Sequence, residues 1–289
     1  MLKKWKKEIA RTIKQTNLAR VLVFILFFVW CASFVIGFLW VVISSLNEHV
    51  KLMTDPISFP QKLHFENWLK TFEVLTASGS SFEDMVFNSL WYMLGGTAIQ
   101  MSVYCMAGYS LWNFKFKGRN AIVAAIIIIL MIPIYGAGSA TMIMYNQLRM
   151  YNSPLMLLAS TGAVSGTTLI VMTFFQGLSP AYEEAAKMDG AGYWSVFLKI
   201  HLPMILPSLG AIALLDLIAR WNDYSVPLYY LPDYPTLSTG LYIYETTSKF
   251  SMDKPVYFAG VILCSILPIV LFSVFREKLM TSVTIGGVK

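Results

Sequence analysis

Two opposite charges four residues apart interrupt an otherwise apolar stretch of the chain. Asp216 and Arg220 lie in a segment, about 204–224, whose hydrophobicity predicts a membrane span. On a helix this spacing puts the acid and the base on one face, and Asp223, three residues further on, can share the arginine. Because charge inside a span is costly, such residues usually face a cavity or a partner. They could therefore line a path for a solute or form a neutralised pair that joins two helices, and the sequence leaves both alternatives open.

Residues that could carry catalysis or hold a metal ion do not converge in the sequence. The three cysteines lie far apart in apolar stretches, at Cys31, Cys105 and Cys264. Cysteines in this pattern are typical of small packing residues rather than of a disulfide framework or a metal knuckle. The histidines are equally scattered, at His49, His64 and His201, with no His-x-x-x-His pair and no serine-histidine-aspartate set. We therefore predict no catalytic residue and no metal site, and we interpret His201 as a polar residue at the surface of the polar segment described next.

A polar segment, residues 179–207, separates two long apolar stretches and predicts two short helices. Ser179 can cap the first helix, and Pro180 suits its first position, where the missing N–H is harmless. Acidic residues follow near the positive end of that helix, at Glu183 and Glu184. The pair Asp189-Gly190 should end it.

In the second half of the segment, three apolar residues and one histidine recur at helical spacing. They are Trp194, Phe197, Leu198 and His201, which predicts one shared face. Pro203 and Pro207 should then interrupt the helix, so that a separate span begins near Met204. We call residues 179–207 the elbow, because the pattern predicts two amphipathic helices joined at an angle on a membrane surface.

The elbow resembles the cytoplasmic signature of the inner-membrane permeases of ATP-binding-cassette importers. That signature reads E-A-A, three residues, G, nine residues, I, any residue, L-P. The matching positions are Glu184, Ala185, Ala186, Gly190, Ile200, Leu202 and Pro203, with Glu183 and Asp189 beside them. The resemblance implies that the elbow docks into a groove on a cytoplasmic ATPase and couples it to the membrane domain. A plain cytoplasmic linker helix is the alternative.

Two further motifs resemble the carbohydrate importers of this superfamily, and specifically their maltose-type permease subunit. Residues 221–228 resemble the run W-N-[DE]-[FY]-x-x-P-L at the end of the fifth span. The tail Gly286, Gly287, Val288 and Lys289 resembles G-[AG]-V-K, which implies that it reaches the ATPase dimer. The candidates for a substrate pathway are Asn88, Asp216, Arg220, Trp221, Asn222 and Asp223. Asp216 and Arg220 depart from the family's uncharged residues, so the substrate need not be maltose-like.

The resemblance also implies partners. The chain would be a non-catalytic permease that pairs with a second, similar permease in a heterodimeric pore and receives an oligosaccharide from an extracytoplasmic solute-binding protein. No phosphate-binding G-x-x-x-x-G-K-[ST] occurs in the chain, so we expect no cofactor here and expect a separate ATPase to bind ATP and magnesium. The alternatives are a permease for peptides or amino acids, an ion-coupled secondary transporter, and a membrane-embedded enzyme.

The composition is typical of a chain embedded in a lipid bilayer. Of 289 residues, 56% are hydrophobic and 13% are charged, and the mean hydropathy is +0.60. We therefore predict an all-α polytopic protein of the cell membrane, and the resemblance implies the type I importer permease fold. The net charge of +6 could indicate nucleic acid binding. However, the basic residues lie beside the apolar stretches, where orientation in the membrane explains them better.

Six membrane spans are predicted, at about 21–46, 88–112, from 121, after 154, 204–224 and 256–275. Lys and Arg are concentrated in the segments that this topology places inside, which puts both termini in the cytoplasm. The predicted organisation is a basic cytoplasmic segment (1–20), a transmembrane permease domain (21–276, core about 84–276) and a cytoplasmic tail (277–289). The third span should lose regularity near Gly136, and Gly162 and Gly166 in the fourth should allow close helix packing.

Overall fold

The protein is described by a computed structural model that covers residues 18–132, 136–162, 165–248 and 252–285. Within these residues the secondary structure is helical, apart from one isolated bridge between Ala77 and Ser80. The helices are α1 (Leu18–Ser45), α2 (His49–Thr54), α3 (Glu66–Val74), α4 (Phe82–Asn113), α5 (Arg119–Met131), α6 (Gly138–Gln147), α7 (Met156–Ala159), α8 (Gly166–Gln176), α9 (Ala181–Met188), α10 (Tyr193–Val196), α11 (Leu202–Asn222), α12 (Ser225–Tyr230), α13 (Leu237–Thr247) and α14 (Lys254–Ile285). A π-helical turn, Phe197–His201, lies between α10 and α11.

The chain divides into two compact units, of which the first comprises the described parts of residues 1–71 and 253–262. Its polar centre lies at the end of α1. Asn67 Nδ2 donates to the carbonyl oxygens of Ser45 and Asn47, each at 3.0 Å. Because the last carbonyls of a helix have no partner within it, this side chain satisfies groups that would otherwise be buried and unpaired. Thr71 Oγ1 also donates to Val256 O at 3.2 Å, which ties α3 to the start of α14.

The second unit, formed by the described parts of residues 72–252 and 263–289, is built around the 32-residue helix α4. A capping box starts this helix, because Ser81 Oγ accepts the Asp84 N–H and Asp84 Oδ2 accepts the Ser81 N–H. Several polar residues of α4 are buried, namely Asn88, Ser89, Thr97 and Gln100. Its last turns join α8, the π-helical turn and α11 in an apolar cluster that consists of Cys105, Tyr109, Val171, Phe175, Phe197, Ile205 and Leu209. The central helix therefore has a polar half and an aromatic half.

Three described helical segments are long and apolar enough to cross a membrane. They are Arg20–Ser45, Tyr193–Asn222 and Lys254–Arg276, at the predicted first, fifth and sixth spans. α4 is about 48 Å long and could also span a bilayer, although its buried polar residues make it less apolar. α5 and α8 are apolar but have only 13 and 11 residues, whereas a crossing needs about 20. The helical membrane fold is confirmed, and the number of six spans stays a prediction.

The predicted fourth span is not one continuous helix. α7 ends at Ala159, and α8 begins at Gly166, where Ser165 Oγ accepts the Thr168 N–H at 3.2 Å. The serine cap starts a new helix, which explains the break. Gly162 lies outside both helices, and its carbonyl accepts a hydrogen bond from Gln100 Nε2 at 3.2 Å. The expectation that Gly162 and Gly166 belong to one packing helix is therefore wrong.

Candidate functional site

The first helix of the elbow begins and ends where the sequence predicts. α9 spans Ala181–Met188, and Ser179 Oγ accepts the Ala181 N–H at 3.4 Å. Gly190 has a φ of +80°, a conformation that residues with a side chain rarely adopt. In this conformation the Gly190 N–H donates to Lys187 O at 3.0 Å and the Ala191 N–H donates to Ala186 O at 2.9 Å. Gly190 therefore closes the helix and turns the chain toward α10.

The surface of α9 is open. None of its residues is buried, and Met188 is 88% exposed. Among the signature residues, those that lie exposed are Glu184, Ala185, Asp189, Gly190 and Pro203, while Glu183, Ala186, Ile200 and Leu202 are half-buried. The elbow therefore presents exposed carboxylates and exposed apolar atoms on one surface, where a partner protein could contact both.

An ion pair within α9 positions a lysine that contacts the second half of the elbow. Glu183 Oε1 lies 2.5 Å from Lys187 Nζ, and the same ammonium group lies 4.9 Å from the centre of the Tyr193 ring in α10. The hydrogen bond to Glu183 raises the pKa of Lys187 further above neutral pH. The charged lysine therefore contributes one contact between α9 and α10.

The second half of the elbow differs from the prediction. α10 passes through the π-helical turn directly into α11, so Tyr193–Asn222 is one continuous helical rod. Pro203 lies in the first turn of α11, and Pro207 is accommodated inside that helix. In a regular helix a proline ring clashes with the carbonyl four residues earlier, and the wider i→i+5 turn ahead of Pro203 relieves this clash. The predicted interruption at the two prolines, with a separate span starting near Met204, is therefore wrong.

The π-helical turn also divides the predicted apolar face. Phe197 and His201 are 5% and 0% exposed, whereas Trp194 and Leu198 are 67% and 53% exposed. Because this turn has more residues than an α-turn, residues spaced for an α-helical face no longer lie on one side. The prediction of one shared face is wrong. The buried pair, Phe197 and His201, anchors the elbow. The exposed pair, Trp194 and Leu198, adds apolar surface beside α9.

His201 is fully buried, whereas the sequence suggested a polar residue at the docking surface. The centre of its ring lies 5.1 Å from that of Trp112 and 5.6 Å from that of Tyr109. Neither ring nitrogen has a hydrogen-bond partner within the described part of the chain. The predicted helical face already put His201 beside Phe197, and the structure keeps these two residues together on the buried side. Since Trp112 and Tyr109 belong to α4, the elbow rests on the aromatic end of the central helix.

Asp216 and Arg220 meet in a network that joins α11 to α4. Arg220 Nε donates to Asp216 Oδ2 at 2.8 Å, and Thr97 Oγ1 of α4 donates to the same oxygen at 2.7 Å. The arginine side chain is 13% exposed and the aspartate side chain 23%. Gly96 faces the guanidinium group, because a β-carbon at this position would lie 2.5 Å from Arg220 Nη1. The two helices therefore meet across a charge pair, and a side chain at position 96 would displace the Arg220 guanidinium.

Asp223 has partners other than the arginine that the sequence suggested. Its Oδ2 accepts a hydrogen bond from Tyr92 OH at 2.8 Å. Its Oδ1 accepts the N–H and hydroxyl of Ser225, each at 3.0 Å, and the Val226 N–H at 3.2 Å, so this carboxylate starts α12. Tyr92 connects the carboxylate of Asp223 to Arg220, because the centre of the Tyr92 ring lies 5.9 Å from the guanidinium carbon.

The remaining candidates for the pathway surround this network. Asn88 is buried, and its Nδ2 donates to Pro235 O at 3.1 Å. Trp221 is buried, and its Nε1 donates to Cys264 O at 2.8 Å. Asn222 is exposed, and its Nδ2 donates to Ile218 O at 2.9 Å. The tail residues Gly286, Gly287, Val288 and Lys289 lie outside the described residues.

Sequence reasoning missed the α4 side of the network. The missed residues are Tyr92, Gly96, Thr97 and Gln100, which follow Asn88 at intervals of a helical turn. Polar residues that recur at this spacing within an uncharged stretch are typical of one helix face directed to a protein interior. That signal was present in the sequence, but it is weaker than the signal from α11, whose residues in the network are charged.

These features define a class of protein. Among the described residues, no group of three or more His, Cys, Asp or Glu residues could hold a metal ion. The helices carry an exposed two-helix joint on one side and a neutralised charge network between two long helices. A helical membrane protein with such a joint and such a network has the organisation of a transport component.

Comparison with known proteins identifies the family. Residues 104–283 match the family model described as binding-protein-dependent transport system inner membrane component, and the chain belongs to this family. It is therefore a permease subunit of an ATP-binding-cassette importer, and it is not itself an enzyme.

Known relatives extend along most of the chain. It is 24% identical over 265 residues to the diacetylchitobiose uptake system permease protein of Streptomyces coelicolor, covering 90% of this chain and 86% of that protein. It is 28% identical over 206 residues to the maltodextrin transport system permease protein of Bacillus subtilis, covering 70% and 74%. A solved bacterial ABC transporter involved in import of the acidic polysaccharide alginate has the same fold, with a TM-score of 0.72 and 17% identity over 91% of this chain and 98% of that one.

Proposed function

We propose that this chain is the maltose-type permease subunit of an importer for an oligosaccharide. The elbow receives the movement of a separate ATPase, which binds the ATP and magnesium, and passes it to the membrane helices. Its partners in this proposal are a second, similar permease that completes a heterodimeric pore, an ATPase dimer, and an extracytoplasmic solute-binding protein. Both termini lie in the cytoplasm, and the tail Gly286–Lys289 contacts the ATPase.

The exposed elbow is the single observation that carries this proposal. Glu184 on α9 and Asp189 and Gly190 just after it are exposed, while Phe197 and His201 anchor the elbow against α4. The rod Tyr193–Asn222 is continuous, so a displacement of α10 is transmitted along it without a flexible break. The same rod carries Asp216 and Arg220, which links the docking surface mechanically to the network inside the membrane.

The substrate class follows from the relatives and from the chemistry of the network. The named relatives transport diacetylchitobiose and maltodextrin, which are oligosaccharides. Asp216 neutralises Arg220, so this pair offers hydrogen-bonding groups without net charge, and the carboxylate of Asp223 is a further acceptor for the hydroxyl groups of a sugar. We propose that Asn88, Asp216, Arg220, Trp221, Asn222 and Asp223 lie along the path of this solute.

Reconstituted uptake tests the proposal. Proteoliposomes that contain this chain, its partner permease, the ATPase and the solute receptor should accumulate labelled oligosaccharide only when ATP is present. Gly190→Val should abolish uptake and release the ATPase on purification, because valine is strained at a φ of +80°. Gly192→Ala is the matched control, since Gly192 has a negative φ and open space around it. Full uptake by Gly190→Val, or uptake driven by a proton or sodium gradient alone, would refute the proposed mechanism.

A further inference from the structure

A basic cleft lies in the loop between α4 and α5. It is lined by residues 115–121 and has a volume of about 590 Å³. It is formed by consecutive residues of this loop and the first turn of α5 and is largely open, so it is a shallow recess and not an enclosed pocket. Its position at the ends of two helices, away from the Asp216 network, means that the proposed solute path does not explain it.

Every charged residue that lines the cleft is basic. Lys115 and Lys117 are exposed, and neither forms an ion pair with a described carboxylate. Arg119 is half-buried, and its Nε donates to Leu111 O, which fixes the guanidinium at the end of α4. Three cations therefore face a small volume with no acidic residue in its lining, and they attract an anion.

Apolar surface adjoins these cations. Phe114 and Phe116, which alternate with the lysines, are 40% and 43% exposed. Ile127 and Ile128 on α5 are also exposed, so the helix that leaves the cleft presents apolar surface to its surroundings. Cations beside aromatic and aliphatic surface are typical of the level at which lipid headgroups meet acyl chains.

The cleft lies on the same side of the second unit as the elbow. The rings of Phe114 and Tyr193 are 5.7 Å apart between centres, and Tyr193 is the residue over which Lys187 lies. The elbow side is proposed above to be cytoplasmic, and the cytoplasmic leaflet carries anionic lipids. The positive charge of the cleft is therefore complementary to the anionic lipids of the leaflet on which it would lie.

We propose that this cleft binds the phosphate headgroup of an anionic phospholipid. Lys115 and Lys117 contact the phosphate, and Arg119 lies at the base of the cleft. Phe116 and α5 flank the acyl chains. Orientation by positive charge explains why lysines occur on this side, but it requires no concave site and no selection among lipids. A bound lipid here also contacts the elbow through Phe114 and Tyr193.

Lipid retention on the full chain tests the proposal. The purified complex is placed in nanodiscs with equal amounts of phosphatidylglycerol and phosphatidylcholine, extracted with mild detergent, and its retained lipids are counted by native mass spectrometry. The parent should retain phosphatidylglycerol preferentially, and K115Q/K117Q should reduce this preference about 25-fold, since each cation near an anionic surface contributes about a fivefold effect and the two effects multiply. K115R/K117R should keep it. K62Q/K70Q, which removes two exposed lysines elsewhere, is the matched control.

Three results would overturn the proposal. Equal retention by K115Q/K117Q and the parent would show that the cleft does not select the lipid, and an equal loss in K62Q/K70Q would show that only net charge matters. Displacement of the retained lipid by millimolar inorganic phosphate would identify a site for soluble anions instead. A measurement without substitutions guards against misfolded variants: photoactivatable phosphatidylglycerol should label residues 114–121 of the unaltered chain, and labelling confined to other segments would also refute the site. Because the nanodisc is symmetric, these outcomes do not depend on the proposed orientation or on sugar import.

Discussion

Arg220 is a largely buried cation whose charge is balanced within its own helix. Its side chain is only 13% exposed and its Nε donates to Asp216 Oδ2, which also accepts a hydrogen bond from Thr97 on α4. Removing one member of such a pair leaves an unpaired charge, whereas replacing both by apolar residues of similar size is often neutral. This asymmetry separates the two roles that the sequence left open.

Asp216→Leu alone should lower the free energy of unfolding by about 2–3 kcal/mol, because Arg220 loses its partner. The double variant Asp216→Leu/Arg220→Met should return to within about 1 kcal/mol of the parent, since no charge is left unpaired. We expect the double variant to be stable but unable to take up oligosaccharide, as measured by thermal unfolding in detergent and by proteoliposome uptake. Full uptake by the stable double variant would assign the pair to helix packing alone.

Gly96 offers an independent test of the same network. Gly96→Ala places a methyl group 2.5 Å from the Arg220 guanidinium, so the arginine must move away from Asp216. We expect a loss of about 1–3 kcal/mol in the free energy of unfolding. Gly210→Ala in α11 is the control, because nothing lies within 4 Å of the added carbon, and alanine is the better helix former. Melting temperatures that fall equally in both variants would mean that Arg220 does not pack on Gly96 as described.

At the scale of elements, the π-helical turn decides how the elbow joins the membrane. It makes α10 and α11 continuous and buries His201 among rings of α4, with neither nitrogen bonded to a described residue. A buried polar group without a partner is destabilising, so this imidazole is a weak point in an otherwise apolar cluster.

His201→Leu should therefore raise the free energy of unfolding by about 1 kcal/mol, because an apolar side chain of similar size has no polar atoms to leave unpaired. Phe197→Leu in the same cluster, where the buried ring makes only apolar contacts, should lower it by about 1–2 kcal/mol. Thermal unfolding of the two variants beside the parent gives the comparison. A lower melting temperature for His201→Leu would reveal that the imidazole has a stabilising partner in the assembled transporter.

The elements that sequence could predict are those governed by local chemistry. Ser179 and Asp189-Gly190 set the ends of α9 because capping and a positive φ depend on a few adjacent residues. The π-helical turn escaped prediction because the rule that proline ends a helix ignores the turn that precedes Pro203. The contact between Gly96 and Arg220 also escaped, since 123 positions of sequence separate these residues and no local pattern joins them.

At the scale of the whole molecule, hydropathy predicted the most apolar membrane spans, and the absence of charged residues predicted the second span. α4 is uncharged from Phe87 to Asn113, which placed the second predicted span, although its buried polar residues give it a mixed composition. α5 and α8 are shorter than a crossing requires, so the number of spans depends on segments that composition alone cannot define. The side on which each connection lies is then the property that still has to be measured.

Labelling with a membrane-impermeant maleimide would measure it. In a chain whose cysteines at 31, 105 and 264 are replaced by alanine, single cysteines are introduced at Met188 in α9, which is 88% exposed, and at Ile57, which is 83% exposed. Because the excess of Lys and Arg predicts that the elbow is inside and the connection 47–87 outside, Ile57→Cys should react in intact spheroplasts. Met188→Cys should react only after the membrane is permeabilised. The reverse pattern would place the elbow on the outer surface, where no ATP is available to a docked ATPase, and both the orientation and the proposed coupling role would have to be abandoned.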